Sequence, residues 1–186
     1  VMLYAAGGCG MYMGSLLEKY RGVKNPGFAE LDICYLDTSA SNMRDHINDN
    51  HCYLIDGMDG SGKLRTENHL EINDRVRAVL QKFKPADLNI VLSSGGGGSG
   101  SVFSPLVARE LLANENPVIV LLVGSADTRL DCENTLKTIK SYESVSKMSK
   151  TPLVMLYVQN TTNTTREMSD NSIINAIMSL LILYSR

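Results

Sequence analysis

The chain has 186 residues, with 18 Lys+Arg against 20 Asp+Glu and a formal net charge of −2. That near-neutral balance argues against a protein built mainly to grip nucleic acid, which normally needs a basic face. With 44% hydrophobic and 20% charged residues, the chain fits an ordinary α/β or α+β domain, long enough to fold without a disulfide or metal staple.

Short apolar runs alternate with helical patterns along the chain. Val1–Ala6 is a strand-like run that ends in Gly7-Gly8-Cys9-Gly10, and a helix is expected over Met11–Tyr20. Leu31–Leu36 is a second strand closing at Asp37, and Cys52–Ile55 a third, followed by the glycine-rich segment Gly57–Gly62. From about Glu67 to Phe83, the positions Leu70, Ile72, Val76, Val79, Leu80 and Phe83 fit one helix face. Leu88–Leu92 is a fourth strand running into Gly95–Gly100, with a helix from about Phe103 to Asn114. Pro117–Val123 is a fifth strand, and Thr128–Lys147 a helix carrying Leu130, Leu136, Ile139 and Tyr142. Leu153–Val158 is a sixth strand, and Ser169–Tyr184 a final helix, apolar almost all round. This alternation predicts a mostly parallel sheet covered on both faces. Such sheets bind ligands beyond the carboxyl ends of their strands, where the glycines, Asp37, Asp127 and Asn160 all fall.

Cys9, Cys34, Cys52 and Cys132 are far apart, and with only three histidines (His46, His51, His69) a zinc site has no support. The cysteines read as small core residues in a reducing compartment. The C-terminal apolar run Ile173–Tyr184 falls short of the roughly 20 residues that a membrane span needs. No signal peptide is visible, so a cytoplasmic location is expected, and the sequons at Asn160 and Asn163 read as plain polar loop. The chain opens at Val1 inside a strand pattern and closes at Arg186 inside a helical one. The expectation is that both ends are cut.

Three glycine clusters carry the chemistry. Gly57–Leu64 begins like a P-loop, GxxxxGK, but Leu64 stands where a Mg²⁺-binding hydroxyl belongs. It is a phosphate loop of another family, a true P-loop, or a ligand-free turn. Gly7-Gly8-Cys9-Gly10 lies between strand and helix like a dinucleotide fingerprint, yet GxGxxG cannot be completed there. Gly95–Ser101, with four consecutive glycines before Ser-Gly-Ser, is the strongest element. Its glycines let successive amides surround a phosphate at a helix N-terminus. A flexible linker explains its composition but not its position between two regular elements.

Taken together, these motifs resemble the GTP-binding domain of the tubulin and FtsZ superfamily. Gly96-Gly97-Gly98-Ser99-Gly100-Ser101 is similar to the GGGTG[ST]G phosphate signature, departing at Val102, where the family has a last glycine. Gly7–Gly14 resembles the first tubulin loop GQCGNQIG, and Asp37-Thr38-Ser39-Ala40 resembles the second, NTDA in FtsZ and DLEP in tubulin. Gly57–Lys63 falls where the family keeps its γ-phosphate loop. Ala126–Asn134 is similar to the tubulin ribose loop SDTVVEPYN, Asn160 to the Asn of the FtsZ PND turn, and Asn171 to a base-reading Asn or Asp. The likeness spans nearly the whole chain and suggests a divergent phage or plasmid member.

The resemblance implies a Rossmann-like three-layer sandwich, with residues 1–168 as the GTP-binding domain and 169–186 beginning a core helix that leads to a second domain. It implies GTP or GDP with Mg²⁺ as ligands. The phosphates would lie on Gly7, Gly8, Cys9, Gly10, on Gly60, Ser61, Gly62, and on Gly96, Gly97, Gly98, Ser99, Gly100, Ser101. Asp127 and Asp131 would meet the ribose, Asn160 and Asn171 the base, and Asp37 the Mg²⁺, through water. Asp37 could instead cap its turn, Asn171 the last helix, and Lys63 and Arg65 could be γ-phosphate neighbours or solvated surface. Ser39 stands where the family often has an acid. Family hydrolysis uses acidic residues after the core helix, offered to the next subunit's nucleotide, so no catalytic residue is assigned within these 186 residues. The implied function is a polymer-forming GTPase, a homo-oligomer or filament of like subunits, with no nucleic acid or membrane partner. The alternatives are a non-catalytic nucleotide-binding structural protein of the same fold and a P-loop type kinase.

Overall fold

The computed structural model describes residues 1–37, 47–54, 69–96, 99–160 and 165–185, of which 69–72, 99, 160 and 166 are described by backbone alone. Six strands form one sheet: β1 (Met2–Ala6), β2 (Asp32–Asp37), β3 (Cys52–Leu54), β4 (Asn89–Ser94), β5 (Val118–Ser125) and β6 (Val154–Asn160). Their order is β3-β2-β1-β4-β5-β6, and each neighbouring pair is parallel. This is the doubly wound arrangement, in which the connections reverse direction between β1 and β4.

The alternation of side chains sorts the core into two layers. Met2, Tyr4 and Ala6 of β1 face one layer with Cys34 and Leu36 of β2, Val91 of β4, and Val120 and Leu122 of β5. Helices α2 (His69–Lys82), α3 (Ser99–Ala113) and α4 (Arg129–Ser149) cover that layer with Val76, Val79, Phe103, Val107, Leu111 and Tyr142. Leu3, Ala5, Ile33, Tyr35, Ile90, Leu92 and Leu121 face the other side, under α1 (Gly7–Leu16) and α5 (Arg166–Tyr184). Period-2 burial of both faces is what a sheet wrapped by helices requires.

Four helices depart from expectation, among them α3, which starts at Ser99 rather than about Phe103. Helix α1 starts at Gly7, not Met11, so the glycines themselves form its first turn. The cause is close packing: a Cβ on Gly10 would lie 2.6 Å from the Leu92 carbonyl oxygen and 3.2 Å from the Ala5 carbonyl carbon. Helix α4 was expected to bury Leu130 and Leu136, which are 64% and 58% exposed. Its buried residues are Thr135, Thr138, Tyr142 and Val145, because this face lies against loop backbone that needs hydroxyl partners. Helix α5 starts at Arg166, where the Thr165 side chain caps it by accepting from the Met168 amide at 3.2 Å. Neither Asp170 nor Asn171 opens that helix. It is not buried all round: Ile173, Ile177 and Leu181 face the core, while Ile182, Leu183 and Tyr184 are exposed. The Leu181 carbonyl also accepts from the Ala29 amide at 2.9 Å, tying α5 into the same unit. Among the described residues, no helix is long and apolar enough to cross a membrane.

Candidate functional site

Register decides what meets at the carboxyl edge of the sheet. Ala6 ends β1 opposite Leu36, so Asp37, buried at the end of β2, stands level with Gly7. Gly7 takes φ +72°, a left-handed conformation that glycine accepts readily. Ala6, the residue before α1, offers no side-chain acceptor to the first-turn amides. On the other side of the reversal, β4 passes through Gly95 and Gly96 to the start of α3.

Gly100 joins the two helix starts. A Cβ there would lie 2.8 Å from the Ala6 carbonyl oxygen and 3.2 Å from Gly7 Cα. The first turn of α3 therefore rests directly on the β1–α1 junction, and two positive helix ends open side by side at one crevice. Helix N-termini carry roughly half a positive charge each and present amides suited to an anion.

The far wall of the crevice comes from β5 and α4. Thr128 caps α4, its hydroxyl accepting from the Asp131 amide at 3.1 Å. The Asp131 carboxylate borders Gly96, where a Cβ would meet Oδ1 at 3.5 Å. Asp127 is exposed on the connecting turn, its Oδ2 3.4 Å from the Ser125 hydroxyl. Asn160 pairs in register with Ser125, which puts its backbone on the same edge. Asn171 lies in the second turn of α5 and is exposed.

The structure thus brings together Gly7, Gly8, Cys9, Gly10, Asp37, Gly96, Gly100 and Asp131 at one end of the sheet, with Ser101 buried in the first turn of α3. Gly60, Ser61, Gly62, Lys63, Arg65, Ser39, Gly97 and Gly98 lie outside the described residues, as does the side chain of Ser99. Sequence reasoning passed over a second layer of hydroxyls beneath the glycines. The Thr138 hydroxyl donates to the Gly95 carbonyl at 3.0 Å. Ser104 donates to the Gly100 carbonyl at 2.7 Å and pairs with Ser93 at 2.8 Å. The Tyr142 hydroxyl faces that pair outside hydrogen-bond geometry, and burial pushes its pKa far up, so it stays protonated. One signal was available: Thr135 and Thr138, three apart on the buried face of α4, where aliphatic residues are usual. Among the described residues, no group of three or more His, Cys, Asp or Glu is arranged to hold a metal ion, and none of the four cysteines is in a disulfide.

A doubly wound parallel sheet with paired glycine-rich helix starts at the β1/β4 reversal defines the class: the nucleotide-binding domain of the tubulin/FtsZ superfamily, to which this chain belongs. Within it, the chain is similar to the phage tubulin-like protein of Pseudomonas phage phiKZ, 28% identical over 99% of the chain and 57% of that relative. The phage tubulin-like protein of Pseudomonas phage PhiPA3 is 30% identical over 74% of the chain and 41% of its own length. The chain therefore spans about half the length of the relatives it matches. Among solved structures, the monomeric subunit of TubZ from bacteriophage PhiKZ superposes with a TM-score of 0.82, covering 99% of this chain and 61% of that one at 28% identity. A protofilament of the same protein gives 0.84, at 28% identity over 98% of this chain and 56% of that one. The phage tubulin PhuZ bound to GDP gives 0.80, at 25% identity over 98% and 55%. No protein-family profile matches the chain.

Proposed function

We propose that this chain is the guanine-nucleotide-binding domain of a filament-forming, tubulin-like GTPase. The observation that carries the reading is the seat of Gly100 on Ala6 and Gly7, which turns two helix starts toward one crevice. A polyphosphate is the ligand such a crevice suits, since its charge is spread over several oxygens within reach of both helix ends. The GDP named with PhuZ and the protofilament named with the PhiKZ protein support a guanine nucleotide and a filament of like subunits.

In this reading the α1 glycines and the Gly96–Ser101 loop hold phosphates, with Gly60–Gly62 as a third contact. Asp131, against Gly96, and Asp127 take the ribose hydroxyls, and Asn160 with Asn171 offer paired donors and acceptors to the base. Asp37 suits a Mg²⁺ bound mainly by phosphate oxygens and water, because a buried carboxylate level with Gly7 is, among the described residues, the sparse protein donor set that this ion accepts. The ion would supply charge neutralisation at the phosphates. The chain's own residues bind and orient the nucleotide, and the general base for water attack comes from an adjacent subunit.

Calorimetry of the chain with GTP and with ATP tests the ligand. Preference for GTP is expected, and equal affinity for the two overturns the base assignment. GTP turnover per subunit in the full-length protein should rise steeply with protein concentration. Turnover that stays absent at every concentration favours a structural module instead.

A further inference from the structure

We draw no further inference here: the strongest candidate, the surface patch of exposed Val154, Leu156 and Tyr157 on β6 at the end of the sheet order, has nothing in the structure to show what covers it.

Discussion

Gly100 and Ala6 touch through backbone: a Cβ on Gly100 would stand 2.8 Å from the Ala6 carbonyl oxygen. Real Cβ atoms essentially never approach so closely, and neither partner is a side chain that could swing away. Gly100→Ala therefore forces the first turn of α3 off the β1–α1 junction. The expected outcome is a GTP affinity at least tenfold weaker, with destabilisation of about 1–3 kcal/mol from overpacking. Calorimetry with denaturant melts checks both. An Ala variant that binds GTP like the wild type would show that the two helix starts need not touch.

Gly10 and Gly124 make a contrast that separates backbone from side-chain obstruction. At Gly10 the opposing atoms are the Leu92 carbonyl and Ala5 backbone, with the nearest at 2.6 Å. At Gly124 the obstruction is nominally worse, with Tyr157 Oη at 1.9 Å, but Tyr157 is 41% exposed and its ring has solvent to turn into. Gly10→Ala should cost clearly more stability than Gly124→Ala, although its nearest obstruction is farther away. Urea melts of the two variants decide it, and the reverse order would mean that the Tyr157 ring is fixed.

Asp37 provides a check on the metal. If it serves Mg²⁺, Asp37→Asn should weaken GTP binding about tenfold in Mg²⁺ and leave binding in chelator unchanged. A loss of the same size in both conditions would reduce Asp37 to a structural residue at the end of β2.

At the opposite end of the sheet, Glu18 sits in a charged cluster. Arg21 bridges Glu18 and Asp32 and donates to the Ile33 carbonyl at 2.7 Å, while the Tyr35 hydroxyl donates to Glu18. Burial works against the Glu18 charge, but hydrogen bonds from Arg21 and Tyr35 outweigh it and hold the carboxyl below its ordinary value of 4.5. A carboxylate lowered in the folded state stabilises above its unfolded value, and the stabilisation is lost as pH falls through the folded value. Stability should therefore drop as pH falls below about 4.5. Glu18→Gln should flatten that drop while lowering stability at pH 7. Melting temperatures across pH 3–7 would test it, and an unchanged acid limb in the Gln variant would remove Glu18 as its source.

Much of this was legible in the order of residues. Six apolar runs, five of them followed by a helical pattern before the next, define a wrapped parallel sheet, because strands and helices leave different periods on a sequence. The ordered glycine loops carried the family resemblance. The internal stripe of α4 was misread, since Leu130 and Leu136 look like core and Thr135 and Thr138 like surface. At Thr135 and Thr138 that face meets the backbone carbonyls of Ser125 and Gly95, which the hydroxyls satisfy, while Tyr142 on the next turn packs in the core. The opening of α5 was misread too, because Thr165 caps it ahead of Asp170 and Asn171.

Local sequence determined which segments become strands and helices, and where glycine must follow a strand. It contained nothing about which strands become neighbours. The tertiary structure set β1 beside β4, which brings Gly100 onto Ala6 and Gly7, and β4 beside β5, which brings the Thr138 hydroxyl under Gly95. Such contacts join residues far apart in the chain through packing of the whole sheet, so no local pattern encodes them.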